Sequence, residues 1–391
     1  MLLYVLHILF WFICLATITT YGFVIGTFGN IDLSQMLFFA QTNLNGIPLF
    51  LVLKILFFTL LIPLIMTLCL ALIYKHLMKN KIIIALLDIL LVLIIFANIN
   101  ELIFPYINRE QTDLYSKRFK FVNDVKITKP RNLIVLFVES MEEKYAIIND
   151  KIHINDSDAI KFTNFAEGYA QRWTQGALFS ALTGVHIHYL SEYIFNTFSD
   201  KLRFRTNSPQ NSFIVSNRIG EKFSFNTPSI VALSDISKTN GYQNLYVQSA
   251  SLDFSGTKNF LLAHGFSDEL IYGYENFKNS ATYNQSIGWW GIDDNSMLSL
   301  FESKIEKLKK DQPFLAIAFT LDLHFGKNPF YQNNDDLLKG NIKNINNFIA
   351  WYKKQDFYDN TSLIIIGDHK RMGMNVTPGG HIYNAFFNLP D

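Results

Sequence analysis

Asn132-Leu133-Ile134-Val135-Leu136-Phe137-Val138-Glu139-Ser140 carries six consecutive apolar residues, three of them β-branched, that run straight into an acid. A run apolar on both faces suits a central strand of a parallel sheet, covered on both sides by helices. Its shortness, and Lys129-Pro130 just before it, argue for a strand over a segment of buried helix. In open α/β sheets ligands bind beyond the carboxyl ends of such strands. Glu139 stands at that position and is a candidate metal anchor.

The chain has 391 residues, with 49% hydrophobic and only 17% charged, but these averages cover two regimes. No charged residue occurs before Asp32 and few occur before Pro105; beyond that the charge content is that of a soluble protein. Three apolar segments, at about 1–24, 49–74 and 82–104, have the length of membrane spans. The first lacks a basic flank and an Ala-x-Ala-like cleavage site, so it reads as an uncleaved anchor. Lys75, Lys79 and Lys81 between the second and third spans should be cytoplasmic by the positive-inside rule, which delivers everything after Pro105 to the outer side. The expected organisation is a transmembrane domain at 1–105, a polar linker at 106–130 and an extracytoplasmic catalytic domain at 131–391, in a multi-pass protein of a bacterial inner membrane. Asp88 inside the third span is either a functional acid or one paired with a neighbouring helix. A net charge of +1 excludes a nucleic-acid binder driven by phosphate contacts. Cys14 and Cys69 both lie in the apolar part, so the soluble domain carries no disulfide.

Strands expected at 133–139, 245–249, 314–320 and 363–366 alternate with helices at 174–183, 228–239, 257–264, a helix capped by Asp293-Asp294, and 346–357. This alternation gives the α/β class with a mostly parallel sheet. Three of the strands end in acid or imidazole residues: Glu139, then Asp322 and His324, then Asp368 and His369. Parallel strand ends converge on one crevice, and Asp, Glu and His together bind divalent ions such as zinc or manganese. Thr174 opens a helix that follows Gln171-Arg172-Trp173. At a helix start it is either an N-cap or a hydroxyl nucleophile awaiting a metal or base to activate it.

In this order and spacing, Asn132–Ser140, Trp173-Thr174, Gly256-Thr257-Lys258-Asn259-Phe260 with His264-Gly265-Phe266, Trp290–Asp294, Thr320–His324 and Gly367-Asp368-His369 carry a resemblance. The chain resembles the membrane-anchored phosphoglycerol and phosphoethanolamine transferases of the alkaline phosphatase/sulfatase superfamily, which include lipoteichoic acid synthases and the transferases that decorate periplasmic glucans. The resemblance implies an α/β/α sandwich behind three transmembrane helices. It implies that Glu139, Thr174, Asp368 and His369 hold one divalent ion, manganese first, zinc or magnesium otherwise, with Thr174 also the nucleophile. His324 and His381 match substrate-contacting histidines. Lys258 would pair with the phosphate or remain a solvated lysine, and Trp290 would line the head-group pocket or simply pack.

The implied reaction takes phosphoglycerol from a glycerophospholipid, phosphatidylglycerol above all, through a phospho-threonine intermediate to a cell-envelope glycan or polymer. Ethanolamine-type members usually carry several disulfides in the exported domain, and a Gly-Glu where this chain has Lys370-Arg371, so both departures favour phosphoglycerol over phosphoethanolamine. The tryptophan-arginine motif of lipoteichoic acid synthases is absent near Phe260–His264, which favours transfer to a glycan or capsule. Members of the family also continue past the position of Asp391. A sulfatase would need Cys or Ser in a Cys/Ser-x-Pro-x-Arg setting, which Thr174-Gln175-Gly176-Ala177 does not supply. A two-metal phosphodiesterase would need a second site, for which Asp322, His324 and His381 are the candidates.

Overall fold

The computed structural model of the protein describes residues 2–28, 49–77, 81–107, 125–149, 151–166, 174–184, 231–253, 257–277, 286–287, 291–324, 330–371 and 381–390. The chain divides into two compact units, Met1–Leu37 with Gly46–Arg118, and Phe38–Asn45 with Phe119–Asp391.

The first unit is helical: α1 (Leu2–Phe28), α2 (Leu49–Leu56, a π turn at Phe57–Leu61, then Ile62–Leu77) and α3 (Lys81–Ile107). Two stretches, Val5–Phe23 and Leu53–Leu72, are long and apolar enough to cross a membrane. The expected third span, 82–104, is not among them. Its helix forms, and the apolar stretch found in it among the described residues is Ile82–Ala97. Asp88 interrupts that stretch and is paired with a neighbouring helix: His7 Nε2 lies 2.7 Å from Asp88 Oδ2, and Trp11 Nε1 donates to Oδ1 at 2.7 Å.

The second unit is built on a six-stranded sheet. Its strands are β1 (Asn132–Val138), β2 (Gln243–Gln248), β3 (Ile271–Tyr272), β4 (Phe314–Phe319), β5 (Thr361–Gly367) and β6 (Asn384–Phe387). The spatial order is β6-β5-β1-β4-β2-β3, with every pair parallel except β6 against β5. β1 is therefore interior, paired with β4 on one side and β5 on the other. Its side chains alternate between two cores, as a period of two dictates. Ile134, Leu136 and Val138 pack with one cluster that holds Met297 and Phe301 of α7 (Asp294–Glu306) and Ile345 and Phe348 of α8 (Asn334–Tyr352). Val135 and Phe137 join a second cluster with Leu178 and Phe179 of α4 (Thr174–Thr183) and Phe260 of α6 (Thr257–Ala263). Phe137 stacks on Phe319 of β4, ring centroids 4.4 Å apart and planes 8° apart, worth about 1 kcal/mol beyond its buried area. Helices cover both faces, so the unit is an α/β/α sandwich.

α4 starts and stops where expected, and Gly184 ends it in the left-handed region at φ +66°. The expected helix at 228–239 is described from 231 on, with α5 at Leu233–Thr239. The helix expected at 346–357 instead spans 334–352. Asn333 caps it by accepting from Asp336 N–H at 3.0 Å, and Asp335 and Asp336 sit in the first turn. Gly340 obscures this start in the sequence. A Cβ there would lie 2.3 Å from the Tyr331 ring, so glycine is present for tertiary contact and not as a helix stop.

Candidate active site

The carboxyl ends of β1, β4 and β5 lie side by side, and the site forms where they stop. Glu139 follows β1 and is 1% exposed. Ser140 turns the chain in the left-handed region at φ 53°, a costly conformation for a residue with a Cβ. That turn has three fastenings. Ser140 N–H donates to Asp368 Oδ1 at 2.8 Å, Ser140 Oγ donates to Glu139 Oε1 at 2.7 Å, and Glu139 N–H donates to Thr320 Oγ1 at 2.9 Å. On β5, a Cβ at Gly367 would lie 2.1 Å from the Met141 carbonyl oxygen, so only glycine lets the two strand ends approach.

Asp368 and His369 come next, 6% and 0% exposed. Asp368 Oδ1 accepts from Ser140 N–H and from His369 N–H, both at 2.8 Å. Its buried Oδ2 has no hydrogen-bond partner. His369 Nδ1 lies 2.7 Å from the Lys370 carbonyl, which can only accept, so Nδ1 carries a hydrogen. In the neutral ring this leaves the Nε2 lone pair facing Glu139 Oε1 and Asp368 Oδ2, each at 3.4 Å. Three electron-rich atoms thus converge in a buried space, all within 4.8 Å of one another. Such a cluster requires a cation or a proton between its members. Burial, followed by the charge of Glu139, pushes the Asp368 carboxyl up to about 7. Two carboxylates, an imidazole with a carbonyl-fixed tautomer and an adjacent hydroxyl fit a divalent ion of the zinc, manganese or magnesium kind. Thr174 supplies that hydroxyl: at the first position of α4, its Oγ1 donates to Glu139 Oε2 at 3.1 Å. Four expected residues, Glu139, Thr174, Asp368 and His369, are therefore gathered by the fold.

A cleft opens beside Thr174, lined among others by Glu139, Gln175, Gln248, Thr257 and His324. His324 lines the same cleft as Thr174. The other expected contacts lie elsewhere. Lys258 Nζ pairs with Asp268 Oδ1 at 2.6 Å, so its charge is answered by a carboxylate before any phosphate. His381 Nδ1 lies 3.4 Å from Glu143 Oε2 and is not among the lining residues. Trp290 falls outside the described residues. The candidates for a second metal are not assembled: Asp322 Oδ2 accepts from the Tyr331 hydroxyl at 3.2 Å, and among the described residues Glu139, Asp368 and His369 form the one group placed to hold an ion.

Two residues escaped the sequence reading. Asp293 and Asp294 look like a helix cap, and Asp293 is one, accepting from Ser296 N–H at 2.9 Å. Asp294 is instead fully buried and accepts from Leu321 N–H, Asp322 N–H, Ser249 Oγ and Asn341 Nδ2. It holds the loop that carries His324. A second acid directly after a capping acid, followed by an apolar stripe, was the available signal. The other is Gln175, a buried amide next to the candidate nucleophile that nothing in its local sequence marks.

The sulfatase family model matches residues 131–385, from the start of β1 into β6. Phosphoglycerol transferase I of Citrobacter koseri is 30% identical over 184 residues, covering 41% of this chain and 23% of that protein. The Escherichia fergusonii protein of the same name is 30% identical over 186 residues, with the same coverage. The match thus spans about a quarter of the length of these curated relatives. Among solved structures, lipoteichoic acid synthase LtaP from Listeria monocytogenes aligns with a TM-score of 0.47 and 16% identity, covering 66% of this chain and 65% of that one. A protein of the alkaline phosphatase superfamily from Vibrio parahaemolyticus aligns with 0.45 and 20%, covering 67% and 60%. Because the family model takes in well over half of the residues, including all four of the gathered site, this chain belongs to the sulfatase family.

Proposed function

We propose that the protein is a membrane-anchored phosphotransferase that moves phosphoglycerol from a glycerophospholipid, phosphatidylglycerol in particular, to a hydroxyl of a cell-envelope glycan or polymer. The observation that carries this reading is the bond from Thr174 Oγ1 to Glu139 Oε2 at the rim of the Glu139–Asp368–His369 cluster. It couples a hydroxyl to a divalent-ion site and faces a cleft that also holds His324. A threonine at this position supports phosphoryl chemistry, since the formylglycine of sulfate-ester hydrolysis is made from cysteine or serine. The similarity to phosphoglycerol transferase I supports the choice of group transferred.

A divalent ion held by Glu139, Asp368, His369 and Thr174 would lower the pKa of the hydroxyl and neutralise charge on the phosphate. Thr174 Oγ attacks phosphorus and its proton leaves along the bond to Glu139 Oε2. The phosphorus–oxygen bond to diacylglycerol breaks, and the leaving oxygen takes a proton from His324. An acceptor hydroxyl then gives its proton to His324 and attacks the phospho-threonine. Thr174 departs and recovers its proton from Glu139. The apolar helices Val5–Phe23 and Leu53–Leu72 would keep this chemistry at a lipid surface, with Lys75, Lys79 and Lys81 on the cytoplasmic side and the catalytic unit in the periplasm.

The test is release of labelled diacylglycerol from phosphatidylglycerol by membranes containing the full chain. Release abolished by Thr174→Ala and by chelation, with restoration by manganese or zinc, is the expected result. Release that survives Thr174→Ala would overturn the nucleophile assignment.

A further inference from the structure

The cleft beside Thr174 is walled by the polar side chains of Gln175, Gln248, Thr257 and Thr320 and by apolar Phe319 and Leu321. Among its described lining residues Glu139 is the only carboxylate, and it faces the ion site. Gln248 is spent on its own wall: its Oε1 accepts from the Tyr246 hydroxyl at 2.8 Å, and its Nε2 donates to the carbonyls of Ala250 and Ser251 at 3.2 and 2.8 Å. Gln175 is different. It is 5% exposed, follows the nucleophile on the first turn of α4, and has one side-chain bond, accepted at Oε1 from Thr257 Oγ1 at 2.9 Å. Among the described residues its Nε2 has no hydrogen-bond partner. An amide that borders the cleft without a protein partner for its donor exchanges a bond to water for one to a ligand oxygen, and leaves no protein bond broken. With Thr257 Oγ1 donating to Oε1, Nε2 is the amide atom left for the cleft, one residue after Thr174 on α4.

We propose that Gln175 is a specificity-determining contact that donates from Nε2 to a hydroxyl of an uncharged polyol head group, and that this cleft discriminates against a cationic amine. This inference rests on the phosphotransfer reading above. An ammonium group brings only donors and needs an acceptor, whereas Gln175 offers a donor and the described lining has no spare carboxylate. A glycerol hydroxyl accepts from Nε2 without loss.

The test uses the full chain in vesicles that contain labelled phosphatidylglycerol or phosphatidylethanolamine, and measures binding of sn-glycerol 1-phosphate and of phosphoethanolamine in detergent. Gln175→Ala should raise KM for phosphatidylglycerol about tenfold, the loss of one hydrogen bond, with a much smaller change in kcat. Gln175→Glu keeps the shape and supplies a carboxylate, so it should lower the preference for the glycerol donor over the ethanolamine donor about tenfold or more. Equal thermal unfolding of the Gln175→Glu variant and the parent separates recognition from misfolding. An unchanged KM and an unchanged donor ratio in both variants would overturn the inference and leave the transferase reading intact. If the parent turns over neither lipid yet prefers sn-glycerol 1-phosphate, and Gln175→Glu erases that preference, the transferase reading falls while the polyol site stands. Binding of both phosphates with equal affinity would refute the polyol site directly.

Discussion

Replacing Asp294 tests whether one buried carboxylate organises the loop that carries His324. Its Oδ1 accepts from Leu321 N–H at 2.6 Å and Ser249 Oγ at 3.0 Å, and its Oδ2 from Asp322 N–H at 3.1 Å and Asn341 Nδ2 at 3.4 Å. Asp294→Ala orphans two backbone donors in a fully buried space. At about 1–3 kcal/mol for each, less what water recovers by entering, the expected loss is about 4 kcal/mol. Asp294→Asn should cost about half as much. One oxygen remains, and the new amide would oppose Asp322 N–H and Asn341. Asn341 can turn over, because its buried Oδ1 has no hydrogen-bond partner and would accept from the new amide. Only the Asp322 N–H is then lost. The measurement is denaturant unfolding of the full chain in detergent, followed by circular dichroism, with Asn341→Ala added to the Asn variant. The double variant should lose what the flip recovers. An alanine variant within about 0.5 kcal/mol of the parent would refute the reasoning, as would an asparagine variant as unstable as the alanine one.

Asp368→Asn should abolish binding of zinc or manganese yet raise the melting temperature of chelator-treated protein. It removes a buried charge beside Glu139, keeps an oxygen for the N–H groups of Ser140 and His369, and can donate toward His369 Nε2; metal content and thermal unfolding measured together decide the point. Glu302, pushed up to about 7 by burial and then by Glu306, holds its proton in the fold beyond the ordinary carboxylate value. Stability is therefore lost as pH rises from about 4.5 through 7. Glu302→Gln should stabilise the protein by about 1 kcal/mol at pH 8, a figure discounted for its partial exposure, and by nothing at pH 4; equal effects at both would contradict this origin. Asp88→Ala removes the acceptor shared by His7 and Trp11 and should weaken packing of α1 on α3 by about 1 kcal/mol, read as a fall in unfolding midpoint in detergent.

Local sequence was enough for the sheet's interior and half of the site. Leu133–Val138 is apolar on both faces because it is covered on both faces, and strand-end geometry then places Glu139, Asp368 and His369 together. Thr174 was legible as a helix start, since capping is a matter of neighbouring residues. The start of α8 was not, because Gly340 answers to Tyr331 across space and reads as a break in the chain.

What the sequence by itself determined was the alternation of strands and helices, two of the apolar spans and the chemical type of the residues gathered at the candidate site. These depend on periodicity, hydropathy and residue identity, all of which are local. Tertiary structure alone decided which polar groups meet. Lys258 is claimed by Asp268, His381 lies against Glu143, Asp88 joins His7 and Trp11, and Asp294 turns inward while Asp293 caps. A charge or an amide takes its partner from whatever the fold brings within about 3 Å, and sequence separation places no constraint on that. The idle donor of Gln175 belongs to the same class, visible only once Thr257 has occupied the other end of its amide.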